Sequence, residues 1–159
     1  MTTVADSVVI DVPADVAWRF VSDLRKLHAV VPNTDIRLLS GTFDTVGSRY
    51  LTTTQGWGQT IDATHEIVRL EAPRLIETRT TSQGSVSRSL MQIEPVRDGA
   101  CVLVVQGDME WGGSFTAFVS RIATGLMGRR TFFEYLERVK QAIEQRSDSM
   151  GEAQLAEER

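Results

Sequence analysis

Between Ser114 and Arg146 the apolar residues return at helical spacing. Phe118, Ile122, Gly125, Phe132, Leu136, Val139 and Ile143 fall on one side, and Phe115, Val119, Leu126 and Phe133 widen that stripe. Arg121, Arg130, Glu134, Glu137, Arg138, Gln141 and Glu144 fall on the other. This pattern predicts one long amphipathic helix, about 50 Å in length at ~1.5 Å per residue if unbroken. A helix that long must cover an equally large apolar surface. The chain before it is strand-like, so the expected partner is one curved antiparallel sheet.

In chain order, Thr3 to Asp11 is β-branched and reads as a first strand. Pro13 and Asp15 suit a helix start, and Val16, Ala17, Phe20, Val21 and Leu24 repeat at helical spacing. Asp23 is expected to cap a second short helix that ends before Pro32 and Asn33. This places His28 in that second helix, where it is expected to be exposed. From Asp35 the period changes to two. Strands are predicted over Ile36 to Ser40, Ser48 to Thr54, Gln59 to Leu70, Leu75 to Ser82, Ser85 to Glu94 and Ala100 to Trp111. Gly56 and Gly58 around Trp57, Gln83-Gly84 and Asp98-Gly99 are the turn signals. Strands grouped together with helices at the ends mean α+β: about seven strands, two short helices after the first, and the long helix last.

Composition narrows the class. The chain has 159 residues and a formal net charge of −4, with no Lys/Arg run, which speaks against nucleic acid and anionic membrane surfaces. One cysteine, Cys101, allows no internal disulfide and suits a reducing cytoplasm. No apolar run approaches the ~18 residues of a membrane span. Residues 147–159 are polar and acidic and read as a disordered tail or frayed helix end.

The segment Val-Pro-Ala-Asp-Val-Ala-Trp-Arg-Phe-Val-Ser-Asp (Val12 to Asp23) after the first strand, with this order of elements, resembles the START-like superfamily, also called SRPBCC. That group includes bacterial polyketide cyclase/dehydrase-like proteins. The resemblance covers roughly residues 3–146 and implies a helix-grip domain over 1–146: the sheet wraps the C-terminal helix around a deep apolar cavity. Related proteins bind lipids, sterols, polyketides or plant hormones. The superfamily shares no single catalytic set, so no residue role carries over by position.

Candidate site residues follow from strand alternation. Ile61, Ala63, His65 and Ile67 share one face of their strand. His65 is then the inward group with a near-neutral ordinary pKa, a candidate general base. Tyr50 alternates with Thr52 and Thr54 on one face of its strand and, if that face is inward, offers a phenol near the pocket. Thr78, Thr80, Ser87 and Ser89 would add hydroxyls to an inner wall; so many are costly in a dry core, which favours a polar-dotted ligand cavity. Ile61, Ala63, Met91, Leu103, Val105 and Met109 would form apolar wall, with Phe20 from the first helix. Phe118, Ile122, Gly125 and Leu126 would close it from the long helix, the glycine clearing room for a ligand or allowing close packing. Trp57, in its glycine turn, reads as a lid, a contact surface or a ring folded back on the sheet. Trp18 and Cys101 read as structural. The sequence holds no Gly-x-Ser-x-Gly, phosphate loop or dinucleotide motif, and no metal spacing, so neither a cofactor nor a metal is expected.

Two functions follow as expectations. One is an enzyme similar to polyketide cyclase/dehydrases, cofactor-independent, with His65 or Tyr50 moving protons. The other is a carrier, sensor or interaction module without chemistry. Either has a hydrophobic small molecule as partner, no nucleic acid and no membrane span, with a homodimer left open.

Overall fold

A computed structural model describes residues 2–56, 58–110 and 115–157, with backbone alone at 2, 4, 109–110, 115–129, 131–132 and 150–153. The elements are β1 (Thr2–Ile10), α1 (Ala14–Val21), α2 (Leu24–Ala29), β2 (Thr34–Ser40), β3 (Arg49–Gly56), β4 (Gln59–Glu71), β5 (Leu75–Ser82), β6 (Ser85–Arg97), β7 (Ala100–Glu110) and α3 (Phe115–Glu157). The expected α+β helix-grip order is present. The strands form one seven-stranded antiparallel sheet in the order β1-β7-β6-β5-β4-β3-β2. Six strands run as a meander, and β1 closes the far edge by pairing with β7 from Thr2↔Met109 to Ile10↔Cys101.

The register explains the buried face. Ile10 pairs with Cys101 and Val8 with Leu103. Ile93 pairs with Leu103, and Met91 with Val105. Ile76 pairs with Met91, Ile67 with Thr78 and Tyr50 with His65. Because side chains alternate along each strand, these pairs make one continuous inner surface across the sheet. Register shifts occur between Leu38 and Ser40, Ile67 and Arg69, and Pro95 and Arg97. Such bulges bend and twist strands, which curves the sheet around its cover.

The cover comes from both ends of the chain. Ala17, Phe20 and Val21 of α1 are buried, as are Leu24 and Leu27 of α2. Asp23 caps α2, its carboxylate accepting the Arg25 N–H at 3.2 Å. Leu136, Val139 and Ile143 of α3 are buried at helical spacing and join the same core. Trp18 packs against this core from the side.

Helix α3 continues through Glu157. The expected end at Arg146 is therefore too early, and residues 147–157 are helical rather than a disordered tail. The stop was placed where the apolar stripe fades, but a helix already anchored by packing propagates at little cost into residues of fair helix propensity. The expected cap at Ser114 and the break at Gly112-Gly113 lie outside the described residues.

The β2–β3 connection holds one position where glycine is required. Gly41 has φ +76°, and a Cβ there would lie 2.8 Å from Ser48 Cβ and collide with Ser48 Oγ. That oxygen accepts the Thr42 N–H at 2.9 Å. Gly41→Ala is expected to lower stability by about 1–3 kcal/mol through backbone strain and displacement of buried Ser48. Urea unfolding of the variant checks this; an unchanged midpoint would refute it.

Candidate functional site

Helix α2 lies across the inner face of the sheet, and between them is a cavity of about 280 Å3. Leu24, Leu27, His28 and Val31 line it from the α2 side. These positions follow the spacing of one helical face. The sheet contributes Tyr50, His65, Ile76, Thr78, Thr80, Ser89, Met91 and Val105, and Tyr135 reaches in from α3.

The polar groups of this wall form a bonded set. Tyr50 and His65 are direct cross-strand partners, and their rings stack at 4.6 Å between centroids, 8° from parallel. The His65 Nε2 lies 2.8 Å from Thr52 Oγ1, and its Nδ1 lies 2.8 Å from Thr80 Oγ1. A neutral imidazole has one N–H donor and one acceptor nitrogen. One threonine therefore receives the ring N–H, and the other donates its hydroxyl to the remaining nitrogen. Both edges of His65 are thus occupied. His28 comes from α2, with Nε2 3.2 Å from the Tyr50 hydroxyl and its ring 5.1 Å from the His65 ring. Phe43 backs Tyr50 at 5.8 Å.

Burial governs protonation here. It lowers the His28 pKa to about 4. It lowers His65 to about 3, helped by the charge His28 would carry. It raises Tyr50 and Tyr135, Tyr50 also through Tyr135. At neutral pH both imidazoles and both phenols are uncharged, because a charge in this setting loses more hydration than its neighbours replace. Among the described residues the cavity lining contains no Lys, Arg, Asp or Glu.

The structure brings together the two proposed proton carriers, Tyr50 and His65, and adds His28. The expectation that His28 is exposed is corrected. Its helix turns that face toward the sheet because Leu24, Leu27 and Val31 are apolar. That Leu24, Leu27, Val31 spacing was the signal available in the sequence. Thr78, Thr80, Ser89, Met91 and Val105 are at the cavity wall as well. Other expected residues are elsewhere. Phe20 is 5% exposed; it is part of the core and borders a groove beside α1. Leu103 is fully buried between Val8 and Ile93, where packing leaves no free surface. Ile61 is 40% exposed, near the start of β4, where the strand runs past its cover. Ala63 and Ser87 are half-buried and lie outside the lining. Trp57 and the side chains of Met109, Phe118, Ile122, Gly125 and Leu126 lie outside the described residues. Sequence reasoning passed over Tyr135, which sits beside the Leu136 stripe of α3.

Among the described residues, no group of His, Cys, Asp and Glu is arranged to hold a metal ion. No helix among them is long and apolar enough to cross a membrane.

Comparison with known proteins places this geometry. The family model described as polyketide cyclase / dehydrase and lipid transport matches residues 1–144. No match to a curated protein was found. Among solved structures, the Zhui aromatase/cyclase from a Streptomyces species superposes with a TM-score of 0.75 at 17% identity, covering 92% of this chain and 95% of that one. A norcoclaurine synthase point mutant from Thalictrum, in complex with a transition-state analogue, gives a TM-score of 0.66 at 12% identity, covering 92% and 96%. The di-domain aromatase/cyclase BexL gives 0.68 at 17% identity, covering 91% of this chain and 47% of that one. At these identities the likeness is one of fold.

Proposed function

The chain belongs to the polyketide cyclase/dehydrase and lipid transport family, and on that premise we propose that it binds an uncharged, oxygen-bearing apolar molecule in the cavity beneath α2. The observation that carries this reading is the neutral polar belt on an otherwise apolar wall. Tyr50, His28 and His65 with its threonines are all uncharged at neutral pH, and no charged side chain among the described residues lines the space. A carboxylate or ammonium entering would lose its hydration with nothing to replace it. Carbonyl and hydroxyl oxygens would find donors and acceptors among apolar contacts, the usual make-up of a small-molecule site. Polyketide-like chains and hydroxylated aromatics have this character, and the aromatase/cyclase neighbours are in keeping with it.

Two modes of action are open to such a site. As an enzyme, it would fold a reactive chain away from water. The Tyr50 hydroxyl would donate to a carbonyl oxygen and His28 would take a proton from an adjacent carbon, His65 fixing the tyrosine by stacking. Most of the rate gain would come from orientation. As a carrier, it would only hold the molecule. The low basicity of both imidazoles, with pKa values of about 4 and 3, favours the carrier.

The His28 and His65 ring signals in NMR test the binding reading. Dihydroxynaphthalene is expected to shift them saturably, and naphthoate to leave them in place. Equal response to both compounds, or none to dihydroxynaphthalene, would overturn the proposal. If the protein catalyses cyclisation of a poly-β-ketone, His28→Gln should slow it by about a hundredfold, the usual weight of a general base. Product formation indifferent to that change identifies a carrier.

A further inference from the structure

We infer that the groove between α1 and the far end of α3 is a second binding site, for an amphipathic organic anion such as a single-chain carboxylate. The groove encloses about 510 Å3 and shares no residue with the central cavity. Half-buried Val16 borders it, with Phe20 and Ile143 buried in its floor, while Arg19, Lys26 and Arg146 stand around it. Ser147 and Gln154 form its outer wall, so the extension of α3 beyond Arg146 builds part of the site.

The charge pattern selects the occupant. Among the described residues the lining holds three cationic side chains and no carboxylate, in a chain whose net charge is −4. Arg19 meets Asp15 at 3.0 Å and Lys26 meets Asp23 at 3.8 Å, with both acids outside the lining. The Arg19–Asp15 side chains are 65% and 71% exposed, and pairs so exposed are weak enough to exchange partners. Arg146 takes part in none of the ion pairs formed among the described residues. Its guanidinium lies over the Phe20 ring, 5.3 Å from the centroid. A guanidinium resting over a ring can still offer N–H groups to a carboxylate, which it binds through two parallel hydrogen bonds. The apolar tail of the same molecule would then lie along Val16, above the buried Phe20 and Ile143. The central cavity is neutral and this groove is cationic, so the two sites take opposite ligands. The inference therefore does not rest on the reading of the central cavity.

Amide NMR of the full-length protein tests it, with decanoate as the probe and decanol as the uncharged control. Decanoate is expected to give saturable shifts at Val16, Arg19, Ile143 and Ser147, and decanol to bind there at least about tenfold more weakly, the worth of a charge-assisted hydrogen bond. Arg146→Glu should weaken decanoate about tenfold or more at those positions, while Arg146→Lys recovers part of the affinity. Shifts centred on His28, His65 and Thr80 would overturn the inference, as would equal affinity for decanol or no saturable binding. A variant that fails to fold does not shelter the proposal, because the comparison of decanoate with decanol uses the unaltered chain.

Discussion

Tyr50→Ala is expected to lower the free energy of unfolding by about 3–5 kcal/mol, the range seen when a large buried aromatic is truncated. Tyr50 is 1% exposed. Its ring touches three others: His65 stacked at 4.6 Å, His28 edge-on at 5.4 Å and Phe43 at 5.8 Å. Removing it takes away the surface against which α2 and β4 are both set. It also leaves His28 Nε2 without its partner hydroxyl. Tyr50→Phe separates these effects. The ring stack survives and only the hydroxyl is lost, so the stability cost should be about 1 kcal/mol, that of one hydrogen bond. The same change should weaken dihydroxynaphthalene binding by about tenfold, because the belt loses the donor that faces the ligand. Urea unfolding and calorimetric titration of the two variants measure both quantities. If Tyr50→Ala costs under about 1 kcal/mol, the ring is not the keystone described here. If Tyr50→Phe binds the aromatic as well as the parent does, the hydroxyl plays no part in recognition.

These residues show what could be read from the chain and what could not. The sheet was legible because its strands alternate cleanly, and the C-terminal helix because its stripe is broad. His65 was legible as inward for the same reason: period two fixes the face once one residue of a strand is placed. For Tyr50 the sequence left open which face of its strand is the inner one. His28 was not legible. A six-residue helix has too few turns for its apolar face to stand out, and a titratable residue on it is exposed by default. The Leu24, Leu27, Val31 spacing is a faint signal on its own, and contact with the sheet shows that α2 and the turn after it face inward. Leu103 and Ile61 failed for a different reason. Alternation tells which face a side chain takes, not whether the space above that face is filled, empty or open to water. Phe20 likewise belongs to a helix whose two flanks meet different surroundings, the core on one side and the α1–α3 groove on the other. The extent of α3 was missed because helix ends are set by what the preceding turns are anchored to, and that anchoring is tertiary.

Mild acid should destabilise the protein well before its carboxylates titrate. The folded-state pKa values of His28 and His65, about 4 and 3, lie below the ordinary value of 6.5 that each regains on unfolding. Between those limits the unfolded chain binds more protons than the folded one, so stability rises with pH. The contribution is complete above pH 6.5 and is lost as pH falls through that window, at about 1.4 kcal/mol per pH unit for each imidazole. From pH 7 to pH 5 the loss should reach roughly 2 kcal/mol per histidine, set by burial and by the closeness of the two rings. Asp44, held below the usual carboxylate range by the Thr42 hydroxyl, and Glu71, held down by Arg69, lose their own contributions only in stronger acid. Tyr50 and Tyr135, the other titratable groups in the cavity, stay neutral throughout. Urea unfolding at pH 7, 6 and 5 gives the slope directly. His28→Gln and His65→Gln should each flatten it by about one proton, and the double variant should remove most of the dependence above pH 5. A double variant with the same slope as the parent would mean that these imidazoles titrate alike in the folded and unfolded chains, and so are hydrated in the folded protein. The neutral belt, and with it the selection of an uncharged ligand, would then have no basis.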